Sequence, residues 1–126
     1  MLKFYLLLFL STINLITYAE IHVDSVYAEL IRQEIPHPHI VLKQAKLESG
    51  NFKSKLTKTH NNILGIKQGK KYKKYTHYSE CITDYKKRIS SRYKGGDYYQ
   101  FLKRIKYANN SAYIKLLKKL WKKIYY

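Results

Sequence analysis

Helix-breaking residues recur along this chain and divide it into short segments. The breaks fall at Pro36 and Pro38, at Gly50, at Gly95–Gly96 and at residues 109–111. Proline suits the first turn of a helix but not its interior, so the two prolines end one predicted helix and begin the next. Because most segments between the breaks carry apolar residues at helical spacing, we expect a mainly helical architecture with one small β-element in the middle.

Two helices are predicted before Gly50. Asp24 or Ser25 is expected to cap the first helix. Its buried side is expected to hold Val26, Tyr27, Leu30 and Ile31. The second helix runs from about His39 to Glu48 and ends at Gly50. Its apolar stripe consists of Ile40, Val41, Ala45 and Leu47.

The middle of the chain is more polar. The segment Asn51–His60 is expected to be irregular, because it has no apolar stripe. The segment Lys67–Tyr78 alternates tyrosines with polar residues, which indicates a short exposed β-hairpin. Either Gln68–Gly69 or the lysines that follow would form its turn.

Helices are again predicted in the last third of the chain. Ser79 is a candidate cap for the third helix, with Glu80 in its first turn. Asp97 and Gln100 have the spacing of a capping box and indicate the start of another helix. The apolar positions of the last helix are Ile114, Leu117, Leu120, Trp121 and Ile124.

The N-terminus is typical of an export signal. Apolar residues run without interruption through Phe4–Leu10, and small residues occupy two positions of Thr17–Ala19, where a signal peptidase would cut. We therefore expect a signal peptide over residues 1–19 and one domain over 20–126; a retained N-terminal anchor is the alternative. Cys81 is the single cysteine, so this domain has no intramolecular disulfide.

The chain is strongly basic. Its 25 lysines and arginines outnumber 8 acidic residues and give a formal net charge of +17. Such a charge attracts polyanions such as nucleic acid, anionic lipid or an acidic cell wall. A genome bias toward Lys, Tyr, Asn and Ile would produce the same composition, so charge alone does not identify the partner.

Carboxylate chemistry is the most plausible chemistry for this sequence. The five histidines and Cys81 lack the spacing of a zinc site, so no metal or other cofactor is expected. Glu48 stands out among the few acids because it falls at the end of a helix, after an apolar stripe. Burial and the negative end of the helix dipole would both raise the pKa of its carboxyl, as a glycosidic general acid requires. The alternative is a surface glutamate near a helix end.

Four segments resemble the motifs of one known family, in the same order. They are Gln44–Lys55, His60–Lys67, Tyr78–Tyr85 and Tyr107–Tyr113. The first two are similar to A-x-L-E-[ST]-G-x-[FW]-x-S and N-N-L-F-G-[IM]-K, and the last to Y-A-T-D-P-x-Y. These are motifs of bacterial glucosaminidase domains, peptidoglycan hydrolases of the mannosyl-glycoprotein endo-β-N-acetylglucosaminidase-like family (glycoside hydrolase family 73).

The resemblance covers about Ser25 to Trp121, with three departures from the family pattern. Ile63–Leu64 replaces Leu-Phe, Cys81 replaces a usual serine, and Asn110–Ser111 replaces the Asp-Pro pair. The family implies a lysozyme-like α+β fold, with a helical lobe, a small β-hairpin lobe and a cleft between them. The helices and hairpin predicted above agree with that fold.

The resemblance also implies roles for particular residues. Glu48 aligns with the catalytic general acid of the family, and Tyr107 with a catalytic-site tyrosine that lines the cleft opposite the acid. Asn62, Phe52 and Tyr78 lie in the matched motifs and are predicted on the substrate-binding side. For Asn62 a turn-stabilising role is the alternative, and for Tyr107 a place in the core.

The second catalytic group is not evident from the sequence. Direct hydrolysis needs a carboxylate about 5 Å from the acid for retention, or ~6.5–9.5 Å for inversion. Many members of the family that this chain resembles place an acid in the β-lobe, yet residues 67–79 contain none. Glu80 is the nearest candidate and Asp84 the next. Assistance from the acetamido group of the substrate would remove the need for a second carboxylate.

These patterns predict a secreted or periplasmic enzyme that acts on peptidoglycan. It would cut the β-1,4 bond on the reducing side of N-acetylglucosamine as a monomer, without nucleic acid and without stable membrane insertion after signal cleavage. A non-catalytic wall-binding relative is one alternative. A basic membrane-active polypeptide is another, suggested by the lysines and Trp121 of the last helix.

Overall fold

The computed structural model describes residues 19–108 and 112–120, which form six α-helices and one two-stranded sheet. In chain order these elements are α1 (Val23–Arg32), α2 (Pro38–Glu48), α3 (Lys55–His60), β1 (Lys67–Gln68), β2 (Lys71–Tyr72), α4 (Tyr78–Arg88), α5 (Tyr98–Arg104) and α6 (Ala112–Leu120). A short 3-10 helix, Ser90–Arg92, follows α4. The prediction of a mainly helical α+β fold with one small hairpin is confirmed.

Two ends of the chain lie outside the described residues. The predicted signal peptide falls there apart from Ala19, and so do Trp121 and Ile124 of the predicted last helix. Within the described ranges, no helix is long and apolar enough to cross a membrane.

Helix α2 lies at the centre of the molecule. All six residues from 40 to 45 are buried, so the helix is enclosed on every side rather than along one apolar stripe. Helices α1 and α6 both pack against it, and α4 packs against α1. The largest side chains of the surrounding core are Tyr85, Tyr98 and Phe101. Because burial fixes α2 so firmly, its last residue, Glu48, has a well-defined position.

Helix α1 differs from its prediction at the start and on one face. It begins at Val23 with His22 as its N-cap residue, so Asp24 lies in its first turn and is not the cap. Val26 and Leu30 are buried as expected. Tyr27 and Ile31 were predicted on the buried side, but they are 37% and 52% exposed. The buried stripe is therefore narrower than the apolar residues suggest.

Helix α3 was not predicted, because the segment has no apolar stripe. The Ser54 side chain caps it by accepting a hydrogen bond from the Thr57 N–H (3.1 Å). Thr57 is its single buried residue. The sequence signal for this short helix is therefore its capping serine, and not a pattern of apolar residues.

The predicted hairpin is present and is short. Lys67 pairs with Tyr72 and Gln68 with Lys71 in antiparallel register, so Gly69 and the next lysine form the turn. Gly69 has a φ of +63°, which glycine adopts without strain. The turn therefore lies one residue further along the chain than the predicted Gln68–Gly69 turn.

The helix starts in the second half differ from prediction at one point. Helix α4 begins at Tyr78, and its cap is His77, whose side chain accepts from the Ser79 N–H (3.1 Å). Ser79 is thus inside the helix and is not its cap. Asp97 caps α5 as predicted, by accepting from two backbone N–H groups of the first turn. Cys81, inside α4, is fully buried.

Candidate active site

Glu48 is the last residue of α2 and is half-buried. Burial raises the pKa of its carboxyl. A hydrogen bond from the Tyr113 hydroxyl and the charge of Lys67 act in the opposite direction, but burial prevails. A carboxyl whose proton is retained toward neutral pH can donate that proton in a reaction.

The backbone of Gly65 lies directly against this carboxyl. A Cβ built on Gly65 would stand 2.8 Å from Glu48 Oε2 and 3.4 Å from Cδ. Gly65 also has a φ of +65°, a conformation that side chains disfavour. Glu48 is therefore the neighbour that requires a glycine at position 65.

Glu48 opens into a cleft of about 470 Å³. The loop before the hairpin and the start of the hairpin form one wall, and the end of α4 and the segment after α5 form the other. The lining residues are Glu48, Leu64, Gly65, Ile66, Lys67, Tyr72, Tyr85, Arg88, Ile89, Arg92, Ile105, Lys106 and Tyr107. The cleft therefore separates a helical lobe from a small β-lobe.

Glu48 is the single acid in the lining of this cleft. The whole chain has eight acidic residues, and all of them fall within the described ranges. Four cations line the cleft with Glu48, namely Lys67, Arg88, Arg92 and Lys106. The cleft thus combines one acid with a strongly positive wall.

Tyr107 lies in the same cleft as Glu48. Its hydroxyl donates a hydrogen bond to the Leu64 carbonyl (3.1 Å). Its ring packs edge-on against Tyr85, with ring centroids 6.2 Å apart. Burial raises the pKa of Tyr107 well above its usual value, so the hydroxyl keeps its proton. Tyr107 therefore links the segment after α5 to the loop whose Gly65 contacts Glu48.

A buried chain of hydrogen bonds supports Tyr113 beside Glu48. The Gln44 side-chain amide donates to the Tyr113 hydroxyl (3.5 Å), and the Tyr85 hydroxyl donates to Gln44 Oε1 (2.7 Å). The Tyr85 and Tyr98 hydroxyls are 2.7 Å apart. Because each of these side chains is buried, the chain restricts where the Tyr113 hydroxyl can point.

Asn62 braces the loop and hairpin from inside the protein. Its amide nitrogen donates to the carbonyls of Ile66 (2.7 Å) and Lys73 (2.8 Å). Its carbonyl oxygen accepts from the Ile66 N–H (3.0 Å). Only 1% of the residue is exposed, so its amide is engaged by backbone groups. These bonds stabilise the turn before the hairpin, which is the role given above as the alternative to substrate binding for Asn62.

The other three predicted site residues do not line the cleft that contains Glu48. Glu80 is exposed, and its carboxylate accepts from the Thr76 N–H (3.0 Å) at the start of α4. Phe52 is buried in the core. Tyr78 is half-buried and packs against the ring of His77 (centroids 4.3 Å apart). The structure brings Glu48 and Tyr107 together in the lining of the cleft, and leaves Asn62 and these three residues outside it.

Asp84 is also outside the lining and has its own partners. Its carboxylate accepts from the Tyr75 hydroxyl (2.6 Å), Lys73 Nζ (3.0 Å) and Arg88 Nε (2.7 Å). Burial acts to raise its pKa, yet these three hydrogen bonds leave it lowered. Arg88 in turn donates to the Lys67 carbonyl (3.2 Å). Asp84 therefore anchors one cationic wall of the cleft.

Sequence reasoning missed the cations that line this cleft. Arg88, Arg92 and Lys106 are exposed positions in a chain with 25 lysines and arginines, so no pattern distinguishes them. Tyr113 was present in a matched motif without an assigned role. Its position six residues after Tyr107, in the same matched motif, was the available signal.

Comparisons with known proteins agree with this geometry. A family model described as "Glucosaminidase: Mannosyl-glycoprotein endo-beta-N-acetylglucosaminidase" matches residues 23–126. Among solved structures, the catalytic domain of the autolysin Auto from Listeria monocytogenes matches with a TM-score of 0.62 and 23% sequence identity, over 80% of this chain and 81% of that chain. This likeness shows a shared fold. No curated protein sequence matches the chain significantly.

Proposed function

The chain belongs to the mannosyl-glycoprotein endo-β-N-acetylglucosaminidase family of glycoside hydrolases, and we propose that it hydrolyses the glycan strands of peptidoglycan. The bond cut would be the β-1,4 bond on the reducing side of N-acetylglucosamine. The likeness in fold to an autolysin catalytic domain supports a wall substrate. So does the positive wall of the cleft, since the strands carry acidic peptide stems.

Glu48 is the general acid of the proposed reaction. The observation that carries this assignment is a half-buried carboxyl whose pKa burial raises, held against Gly65 in a cleft between two lobes. In the first step the Glu48 carboxyl gives its proton to the glycosidic oxygen while the bond from that oxygen to C1 breaks. The leaving sugar departs as a neutral alcohol, and Glu48 becomes a carboxylate.

The absence of a second acid from the cleft lining supports participation by the substrate. The acetamido carbonyl oxygen of N-acetylglucosamine would attack C1 from the opposite face and form a cyclic oxazolinium ion. Water then attacks C1, and the bond from C1 to the oxygen of the oxazolinium ring breaks, which restores the acetamido group. The Glu48 carboxylate takes a proton from that water. The two displacements at C1 restore the original configuration.

The remaining site residues have supporting roles in this proposal. Tyr107 forms the cleft wall beside the sugar, and Asn62 keeps the loop with Gly65 in place. Phe52, which lies in the core, supports the end of α2 through its N–H bond to Ser49 Oγ (2.8 Å). Glu80 stabilises the start of α4 and is not needed for turnover.

A wall substrate implies a location outside the cytoplasm. We propose that residues 1–19 direct export and are cleaved, so that residues 20–126 act in the periplasm or outside the cell as a monomer. The test is the mass of the purified protein from the culture medium or periplasm. A chain that starts at residue 20 supports cleavage, and a chain that retains residues 1–19 in the membrane fraction contradicts it.

The function is tested by product analysis on purified glycan strands. The wild type, Glu48→Gln and the exposed matched control Glu34→Gln would be incubated with strands, and new reducing ends reduced and identified by mass spectrometry. New N-acetylglucosamine ends from the wild type and the control, but not from Glu48→Gln, are the expected result. Glu80→Gln is expected to match the wild type.

Other outcomes identify a different function. New N-acetylmuramic acid ends would show that the other β-1,4 bond is cut. Equal binding by wild type and Glu48→Gln without any new ends would support a wall-binding protein. Release of dye from wall-free lipid vesicles by both proteins would support the membrane-active alternative.

A further inference from the structure

A second groove meets the Glu48 cleft at Lys106. This groove, of about 630 Å³, lies between α5 and α6. Four of its lining residues are cations, namely Lys103, Lys106, Lys115 and Lys118, and none is an acid. Lys106 lines both this groove and the Glu48 cleft. A ligand that extends from one cavity into the other therefore passes Lys106.

The backbone of Lys106 is held in a conformation that a lysine disfavours. Its φ is +54°, in the left-handed region, just after the end of α5. The Lys106 N–H donates to the Lys103 carbonyl (3.1 Å), and the Tyr107 N–H donates to the Leu102 carbonyl (3.1 Å). Helices commonly end in this way, but with glycine or asparagine at the left-handed position. This helix end fixes the backbone of Lys106, the residue that the two cavities share in their linings.

The walls of the groove are apolar between the lysines. Leu102, Ala108 and Ile114 line it together with the rings of Tyr99 and Tyr113. Tyr99 is fixed by the Lys43 ammonium, which donates to its hydroxyl (2.8 Å), and Lys118 Nζ lies 5.3 Å from its ring centroid. Apolar walls with positive charges at the rim suit a short peptide that has small side chains and free carboxylates.

We propose that the groove between α5 and α6 binds the acidic peptide stem of the strand whose sugars lie along Glu48, with Lys106 contacting a stem carboxylate at the junction. The inference rests on the proposed function. A stem is covalently attached to a sugar next to the scissile bond, so it must leave the sugar cleft through an opening. We place that opening at Lys106, the residue that lines both cavities. An independent anionic polymer has no need of such an opening.

The experiment compares strands with and without stems. Stem-free strands are prepared with an N-acetylmuramoyl amidase, which removes the peptide and leaves the lactyl carboxylate. The variants are Lys106→Gly, which removes the charge and relieves the backbone, and Lys118→Gln in the groove. Lys87→Gln is the matched control, because Lys87 is an exposed helical lysine that lines neither cavity.

Both groove variants are expected to raise KM for stem-bearing strands by roughly threefold to tenfold, as loss of an exposed charged contact does. For Lys118→Gln, which lies outside the Glu48 cleft, KM for stem-free strands should change by less than about twofold, and kcat on both substrates should stay near the wild-type value. Lys106→Gly also removes a cation of that cleft, so it should lose affinity for both substrates, and more for stem-bearing than for stem-free strands. Lys87→Gln should match the wild type on both substrates. Lys106→Gly should unfold at the same temperature as the wild type or higher, since glycine suits its φ.

Three outcomes would overturn the inference. A wild type that cuts neither substrate overturns the proposed function, and the inference with it. A wild type that cuts both, with groove variants impaired equally on both, overturns the inference alone. Groove variants that lose affinity for a soluble glycerol-phosphate polymer, while their KM values for the two strands stay equal, show that the groove holds that polymer instead.

Discussion

Gly65 and Glu48 are in such close contact that a Cβ on Gly65 would lie 2.8 Å from Glu48 Oε2. Real side chains essentially never approach a Cβ so closely, so any other residue at position 65 would displace the carboxyl. Gly65 belongs to the loop between α3 and the hairpin, whereas Glu48 ends the central helix α2. The contact therefore makes the position of the acid depend on both lobes of the cleft.

Gly65→Ala is expected to lower activity much more than stability. The new methyl group would push the flexible end of Glu48 aside, and a shift of about 1 Å at a catalytic group can cost about 100-fold in rate. The left-handed φ of Gly65 should cost about 1–2 kcal/mol in the free energy of unfolding. Kinetic assays on glycan strands and urea unfolding measure the two effects.

Gly69→Ala is the matched control for that variant. Gly69 has nearly the same φ, +63°, but a Cβ there meets no atom within 4 Å. It should lose a similar amount of stability and retain most of the activity. Equal activity losses in the two variants would show that backbone strain, and not the contact with Glu48, explains the effect.

Glu48→Gln is expected to change stability in a pH-dependent way. Burial raises the pKa of Glu48 in the folded protein above its usual value of 4.5. A group with a raised folded pKa contributes its full stability below its unfolded pKa, and that contribution is lost as pH rises through the folded pKa. Glutamine does not titrate, so the variant should gain stability relative to the wild type as the pH rises above about 4.5.

Urea unfolding midpoints of both proteins at several pH values measure this difference. Glu34→Gln serves as the control, because Glu34 is an exposed glutamate outside the cleft. A difference between wild type and Glu48→Gln that stays constant or reverses across this range would mean that the carboxyl is not destabilised by burial.

Tyr113→Phe is expected to move the alkaline limb of the pH–activity profile to higher pH. The Tyr113 hydroxyl lowers the pKa of Glu48, so its removal should raise that pKa further. A general acid stays protonated, and therefore active, up to its pKa. The measurement is kcat/KM against pH for the variant and for Tyr93→Phe, a tyrosine outside the cleft lining. A limb that is unmoved, or moved to lower pH, in Tyr113→Phe would contradict the contact.

The product of cleavage is expected to have the β configuration when it is formed. Substrate participation involves two displacements at C1 and so retains configuration, whereas direct attack by water inverts it. Proton NMR during the first minutes of hydrolysis distinguishes the β anomer from the α anomer before mutarotation equalises them. The α anomer as first product would rule out the acetamido mechanism and require a base that the cleft lining does not show.

The position of the acid was predictable from the sequence because strong local signals surround it. Gly50 ends the helix, and apolar residues before Glu48 indicate burial, so the structure places the end of α2 at the predicted residue. Short elements without an apolar stripe were harder to predict. Helix α3 depends on one capping bond from Ser54 and on the burial of Thr57, and neither produces a periodic pattern.

The walls of the cleft could not be predicted, since they depend on how distant segments meet. Arg88 reaches the cleft because Asp84 holds it, and Asp84 itself looked like a candidate catalyst in the sequence. Lys106 reaches it through a left-handed turn after α5, which a lysine does not signal. Glu80 is close to the hairpin in sequence. Its carboxylate, however, accepts a hydrogen bond from the Thr76 N–H at the start of α4, and the residue does not line the cleft.

The most direct measurement of the central claim is the effect of Glu48→Gln on substrates whose leaving groups differ in their need for a proton. A general acid is worth about 100-fold to 10,000-fold for an alcohol leaving group and far less for a dinitrophenolate, which departs as a stable anion. The account predicts that kcat/KM falls by about 1,000-fold on glycan strands but less than about tenfold on a dinitrophenyl glycoside of an N-acetylglucosamine-ended oligosaccharide. Equal losses on both substrates would show that Glu48 is not the general acid.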